Sequence, residues 1–463
     1  MFNNQTDVET AMPTNNGSRG NFEEMTIDDL ASILSTTIKC DDINKCIVFL
    51  GMLSAYTEED QLNICLLGES SSGKTYIAQQ TALYFPQEDV IRIAEATPKA
   101  FKYLDNSREE YFDSEEEEVG ENKTIVTDLE RVILLFQDMP NTFFLHEVRP
   151  LLSHDQKELT YYSVNQGSQG RRKTESVILR GYPSVVFCSA NIRVNPQEAT
   201  RCLLLSPETS DEKIEASIGT TIERYADPKK YIAAIESDPR RHALRERIKH
   251  IKEMYIQSVV VPFPKEYLLK KYRSINPMPM PSDNRNIQHI LSLIKAVTML
   301  NAGNRMGDKH EIVANESDVE AGFRLWQGIA KTQDCGIAPT AMLFYEKYLV
   351  PAYLAYGIES GISIAELLKF CKQNGCNVAP YTVSKDFVPA LILSGLISYG
   401  PVEGRDGRGK YMKPLTLPKP QKAEAEATTF DLGIEEQKPV SPMIVAPNNT
   451  NEDDALDFSS LGF

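Results

Sequence analysis

Apolar positions follow two rhythms along this chain, and the switch between them divides it. Residues 1–25 show neither: Asn, Thr and Gly dominate, and the segment reads as a leader without a core. From residue 27 to 56, Leu30, Leu34, Ile43, Ile47, Leu50 and Leu53 recur at helical spacing, with Thr26 or Asp28 as the capping residue. Short apolar runs come next at 62–67, 90–94, 132–136 and 184–189, separated by helical or polar stretches. That alternation builds a parallel sheet flanked by helices, and it predicts an α/β core over 26–225 together with its leading helices. Beyond about residue 225 the strand signal fades. Amphipathic stretches at 240–256 and 287–300 predict a helical lid over 226–335. From 361 to 415 come a helix (364–372), a Gly-containing turn, a second helix (384–394), an apolar strand (396–399) and a basic Gly-rich loop, in the order of a winged helix within 336–417. Residues 418–463 mix Pro, Ala, Glu, Thr and Asn and predict a disordered acidic tail.

Composition changes this picture little. The 463 residues are 41% hydrophobic, enough for two or three real cores. No apolar run approaches the roughly 18 residues that span a bilayer. A soluble intracellular protein is expected, cytoplasmic or associated with the nucleoid, without a membrane partner. Eight scattered cysteines without a C-x-x-C pair predict reduced thiols and no zinc site.

Charge matters more through its distribution. The net charge of −16 comes mostly from residues 109–121, with eight acids and no base, and 418–463, with nine acids against three lysines. The remaining body is close to neutral, so net charge neither supports nor excludes a nucleic-acid partner. The run 115–118 is expected to be a solvated insertion, because adjacent carboxylates on a loop lack the fixed geometry a cation requires. Within 453–463, Leu456, Phe458, Leu461 and Phe463 stand among acids, a peptide that either docks on a protein partner or simply solubilises the tail.

The sharpest chemical signal is Gly68-Glu69-Ser70-Ser71-Ser72-Gly73-Lys74-Thr75, which matches G-x-x-x-x-G-K-[ST] in full between an apolar run and a helix-compatible segment. Glycines let the backbone curl so that successive N–H groups face a phosphate, and the following helix adds the positive end of its dipole. Lys74 would reach the β and γ phosphates of ATP, and Thr75 would hold Mg²⁺. Hydrolysis also needs an acid at the end of a neighbouring strand. The run 132–136 ends in Gln137-Asp138, so Asp138 serves either as the metal-side acid or as the base. Glu147, after a second apolar run, is either the missing carboxylate or an ordinary helix-start charge. Asn191, ending the run 184–189, either orients the attacking water or forms a turn. Arg201 is either an arginine finger reaching across a subunit boundary or a surface ion pair.

In this order of parts the chain resembles the AAA+ ATPases over roughly residues 40–300. The resemblance implies Walker A at Gly68 to Thr75, Walker B at Val132 to Asp138, sensor 1 at Asn191 and the finger at Arg201. Two stretches are similar to the branch containing the minichromosome maintenance helicases and related mobile-element replication helicases. The first, 158–180, alternates Leu159, Tyr161 and Val164, carries Gly167-Ser168-Gln169-Gly170-Arg171-Arg172-Lys173, and resumes with Val177 and Leu179. The resemblance implies a pore hairpin gripping the DNA backbone. The second, Asn284-Arg285-Asn286-Ile287, is similar to the helix bearing the sensor 2 arginine, which implies that role for Arg285. Departures are Gln137 where an acid is expected, the short segment between Asn191 and Arg201, and no preceding DNA-binding or zinc domain.

Nucleic-acid contacts are expected from Arg171, Arg172 and Lys173, a salt-sensitive cluster that tracks phosphates without reading sequence unless it is only a solvated basic run. A second cationic set is Lys385 on the presumed recognition helix with Arg405, Arg408 and Lys410 in the wing, a place where winged helices also dock proteins. The resulting expectation is a homo-oligomeric ring, a hexamer, using ATP and Mg²⁺ to move along single-stranded or forked DNA as a replication helicase or translocase. The alternatives are an initiator or loader that binds DNA without processive unwinding, and a protein-remodelling or regulatory ATPase. The six histidines lie apart from one another and from any nucleophile elbow, which argues against hydrolases of other kinds.

Overall fold

The computed structural model describes residues 22–68, 70–94, 107–112, 122–140, 142–166, 172–189, 201–277, 279–280, 282–305, 310–335, 339–356, 361–401 and 409–415. Helix α1 (Ile27–Leu34) opens on a reciprocal cap: Thr26 Oγ1 accepts from the Asp29 N–H at 3.1 Å, and the Asp29 carboxylate accepts from the Thr26 N–H at 3.0 Å. The chain enters α2 (Asp42–Leu53) through a left-handed turn, Cys40 at φ 53° and Asp41 at φ 56°. Buried Lys45 stabilises this turn by donating to Ser35 Oγ at 2.6 Å and to the Cys40 carbonyl at 3.0 Å while pairing with Asp42. Such left-handed backbone is costly for residues other than Gly, and the buried ammonium offsets it.

Five short strands form one parallel sheet, four of them at the apolar runs of the sequence and the fifth, Leu203–Leu205, at none of them. The chain passes through β1 (Asn63–Leu67), α3 (Lys74–Ala82) and β2 (Val90–Ile93), and then through an inserted hairpin, β3 (Ser107–Phe112) and β4 (Asn122–Asp128). Next come β5 (Ile133–Phe136), α4 (Thr142–Leu152), β6 (Glu158–Gln166), β7 (Arg172–Arg180), β8 (Ser184–Ser189) and β9 (Leu203–Leu205). The main sheet has the order β2-β5-β8-β1-β9. Residues alternate between its faces with period two. Ile64, Leu66, Ile133, Leu135, Val186, Leu203 and Leu205 join one buried cluster; Cys65, Leu67, Leu134, Phe136, Val185, Phe187 and Leu204 join another. Because both faces are covered, the strands read as continuous apolar runs, and that is why they stand out in the sequence.

The second sheet, β3-β4-β7-β6, is less legible. β6 and β7 form the expected antiparallel hairpin, in register from Glu158 opposite Arg180 to Gln166 opposite Arg172. Its tip, 167–171, and the acidic run 115–118 lie outside the described residues. The hairpin β3–β4 has no counterpart among the apolar runs of the sequence. The β3 sequence Ser-Arg-Glu-Glu-Tyr-Phe carries little apolar alternation, and pairing of β4 with β7 in parallel supplies what local propensity does not.

Helices dominate the chain after β9: α5 (Asp211–Ala226), α6 (Pro228–Glu236), α7 (Pro239–Glu253), α8 (Lys265–Ile275), α9 (Asp283–Leu300) and α10 (Glu316–Cys335). The expected purely helical run is broken by two three-residue strands, β10 (Ser258–Val260) and β11 (Glu311–Val313), which pair in parallel and are too short to leave a pattern. α7, α9 and α10 pack through Leu244, Ile248, Ile290, Leu293, Ile294 and Trp326 into the cluster shared with α1, α2 and one face of the main sheet. On α5, Ile214, Ile218, Ile222 and Tyr225 form an exposed apolar stripe.

Toward the C-terminus lie α11 (Ile364–Gln373), opened by a Ser363–Glu366 capping box, and α12 (Val388–Leu393). The second helix expected at 384–394 begins earlier, because Pro380–Thr382 and the π-helical turn Val383–Phe387 run directly into α12. β12 (Ile397–Gly400) and β13 (Tyr411–Pro414) close as an antiparallel pair, and Ile362 bridges Met412. No helix among the described residues is long and apolar enough to cross a membrane. Cys46, Cys65, Cys188, Cys202 and Cys371 are buried free thiols.

Candidate nucleotide-binding site

Ligands of open parallel sheets bind beyond the carboxyl ends of the strands, where strand order reverses. Here β1 lies between β8 and β9 while the chain's next sheet strand, β2, stands at the far edge, so the loop leaving β1 occupies such a point. That loop is Gly68 to Thr75. Ser71 at φ 66° and Gly73 at φ 94° give it the tight curl that exposes amide groups, and α3 begins at Lys74. Glu69 lies outside the described residues; Ser70 and Ser71 are exposed, Ser72 and Thr75 half-buried. Lys74 is buried and donates to Ser72 Oγ at 3.4 Å.

Register places the other strand ends beside it. Leu67 pairs with Ser189 and Phe136 with Phe187, so two residues past Phe136, Asp138 comes level with Ser189 and Leu67 across adjacent strands. Strand spacing sets the Asp138 and Leu67 backbones about 10 Å apart. Cys188 reports the gathering directly. Burial pushes its thiol up to about 11; Thr75, which hydrogen-bonds it, and the Lys74 ammonium work against that rise, and Asp138 adds to it. Thr75 therefore touches the sulfur, and Lys74 and Asp138 are near enough for their charges to act on it. Asp138 is exposed and its Oδ1 accepts from the Met139 N–H at 2.8 Å. A hydroxyl and an exposed carboxylate are hard oxygen donors of the kind a hydrated Mg²⁺ takes.

The remaining candidates lie elsewhere. Glu147 is half-buried on α4 beside Tyr161 of the hairpin, whose hydroxyl donates to the Glu147 carbonyl at 2.9 Å and whose pKa is raised to about 12 by burial and by the Glu147 charge. Arg201 precedes β9, level with Leu62 at the amino-terminal edge of the sheet, and its guanidinium donates to Ser153 Oγ. Six residues of strand separate that level from Gly68, about 20 Å at the usual rise. Arg285 is exposed on the first turn of α9. Asn191, Arg171, Arg405 and Arg408 fall outside the described residues; Arg172 and Lys173 are described by their strand backbone alone. Lys385 is exposed in the π-helical turn, and Lys410 is exposed with its ammonium 5.9 Å from the Tyr399 ring.

Two residues at the loop belong to no motif, and sequence reasoning misses them. Lys213, in the first turn of α5, is buried, donates to the Ser72 carbonyl at 3.3 Å and pairs with fully buried Asp41. A lysine in a first helical turn gives no periodic or spacing signal.

Compared with known proteins, the sequence matches no family and no curated protein. Among solved structures, a full-length MCM homolog from Methanopyrus kandleri is similar, with 11% sequence identity and a TM-score of 0.38. The alignment covers 66% of this chain and 59% of that chain, so it spans less than two thirds of the neighbour's length.

Proposed function

We propose that this chain is an AAA+ ATPase that assembles as a ring, a hexamer, and couples ATP hydrolysis to movement along DNA. The observation that carries the reading is the curled loop Gly68 to Thr75 leaving β1 at the carboxyl edge of the parallel sheet, with α3 starting at Lys74 and Asp138 level with the end of β1 by strand register. Loop amides and Lys74 would bind the phosphates; Thr75 and Asp138 would hold Mg²⁺, which supplies charge neutralisation at the transferring phosphoryl group. Asp138 is the single acid at that strand end, so it would also face the attacking water. Glu147 is the second carboxylate of the proposal, and Asn191 and Arg285 its two sensors.

Arg201 supports an oligomeric site in particular. At about 20 Å from its own phosphate loop it would serve only a neighbour's nucleotide. The exposed stripe on α5 favours subunit packing, since an apolar row of this length is uncommon on an unpartnered surface. DNA would be gripped by the tip of the β6–β7 hairpin through Arg171, Arg172 and Lys173. The C-terminal elements α11, α12 and β12–β13 would form a winged helix, with α6 to α10 as the lid. Exposed Lys385 and Lys410 in that C-terminal region favour, as a second reading, an initiator or loader that holds duplex DNA there.

ATP turnover of the purified protein, with and without single-stranded and forked DNA at low and moderate salt, tests this. Turnover is expected to vanish in Lys74→Ala. Its stimulation by DNA is expected to vanish when residues 171–173 are all replaced by Ala. Lys74-dependent turnover indifferent to DNA would sink the translocase and favour a protein substrate; stimulation lost instead with Lys385→Ala and Lys410→Ala would favour the loader.

A further inference from the structure

Ser72 is held from two directions by two lysines. Its hydroxyl takes Lys74, from within the phosphate motif, and its carbonyl takes Lys213, which arrives from α5 well over a hundred residues later. Lys213 is 8% exposed, and its partner Asp41 is fully buried. Asp41 is itself fixed: its Oδ1 accepts from the Glu208 N–H at 2.7 Å and from Asn44 Nδ2 at 2.9 Å, and the same amide donates to the Ser206 carbonyl at 2.7 Å. A Cβ added to Gly73 would lie 3.8 Å from Lys213 Nζ with no other atom within reach, so the ammonium directly faces the Ser72–Gly73 peptide.

We propose that Lys213, oriented by Asp41, is a positioning residue for nucleotide: it sets the orientation and strength of the phosphate-binding amide at Gly73. The proposal rests on reading Gly68 to Thr75 as a phosphate site. A trans peptide is planar and its C=O and N–H point opposite ways. With the Ser72 carbonyl fixed on Lys213, the Gly73 N–H is turned away from the Lys213 ammonium. A cation on the carbonyl also polarises that N–H into a stronger donor to an anion. Lys213 thus acts through the backbone without touching the phosphate. Asp41 keeps its charge from being stranded and stops it from swinging into the loop. The chain Asn44, Asp41, Lys213, Ser72 links the entry of α2, the segment after β9 and α5 to the loop that binds phosphate.

The test is titration of the full-length protein with a fluorescent ATP analogue and Mg²⁺, alongside steady-state turnover and thermal melting. The variants are Lys213→Arg, Lys213→Met paired with Asp41→Asn so that no lone charge is buried, and Lys74→Ala. The paired variant is expected to weaken ATP binding about tenfold, the scale of losing one charge-assisted hydrogen bond. KM should rise in step while kcat at saturating ATP changes by less than about twofold, the mark of lost uniform binding. Lys213→Arg should restore most of the affinity. Affinity of the paired variant within about twofold of wild type, with Lys74→Ala abolishing binding, would overturn the role of Lys213 and leave the phosphate site standing. Binding that survives Lys74→Ala would instead remove the phosphate site and the proposal with it.

Discussion

Gly73 is where one residue's backbone freedom carries the most weight. At φ 94° a side chain is strained even though the space around it is open, with Lys213 Nζ as the nearest atom to an added Cβ. Steric crowding therefore contributes nothing and the cost is conformational, about 1–2 kcal/mol for an L residue held in left-handed backbone. Gly73→Ala is expected to relieve that strain by turning the Ser72–Gly73 peptide, loosening nucleotide binding about tenfold while the melting midpoint of the nucleotide-free protein shifts by only a few degrees. Titration and melting on the same preparation check both halves. Cys188, central to the site, is by contrast no nucleophile. With its thiol pushed up to about 11 by burial, it favours the protonated form at neutral pH.

The turn after α4 is expected to carry a pH response. His154 sits at φ 54° with its ring edge-on to Tyr182 at 4.8 Å, and the Tyr182 hydroxyl donates to its carbonyl at 3.2 Å. Burial lowers its pKa below the ordinary 6.5, against the opposing pull of Asp60, Glu59 and Asp155. The unfolded chain then binds the extra proton more readily, so stability is complete above 6.5 and falls as pH drops through the unfolded and then the folded pKa. His154→Asn, which tolerates left-handed backbone, is expected to flatten that fall in a series of melts from pH 8 to about pH 5. A slope unchanged by the substitution would place the acid sensitivity elsewhere.

Elements were legible where burial is two-sided. β1, β5 and β8 are apolar without interruption because both faces of the sheet are covered, and the helices that cover them show their spacing. β9 escaped because three leucines are too few to separate from a helix, and β3 because its stability comes from pairing with β4, itself secured by β7. Within the site, the motif residues declared themselves by spacing. Lys213 and Asp41 did not, since a contact between residues more than a hundred and seventy apart leaves no local trace.

Taken whole, the molecule uses its central sheet as a partition. One face is closed by α1, α2, α7, α9 and α10, the other by α4 and the C-terminal helices, and each face has its own buried cluster. Acidity is confined to the insertion and the tail, leaving the body near neutral. The sheet's direction separates the two ends of the chain's proposed chemistry: the Gly68 to Thr75 loop leaves the carboxyl edge, and Arg201 stands at the amino edge. If neighbours complete one another's sites, a protein poisoned at either end is not poisoned in the same place. Lys74→Ala and Arg201→Ala chains, each inactive alone, would regain activity when mixed, because an Arg201→Ala loop beside a Lys74→Ala neighbour forms an intact junction. Random co-assembly of equal amounts would restore about a quarter of the junctions in a closed ring. Two dead alleles that complement in this way would count subunit boundaries rather than subunits.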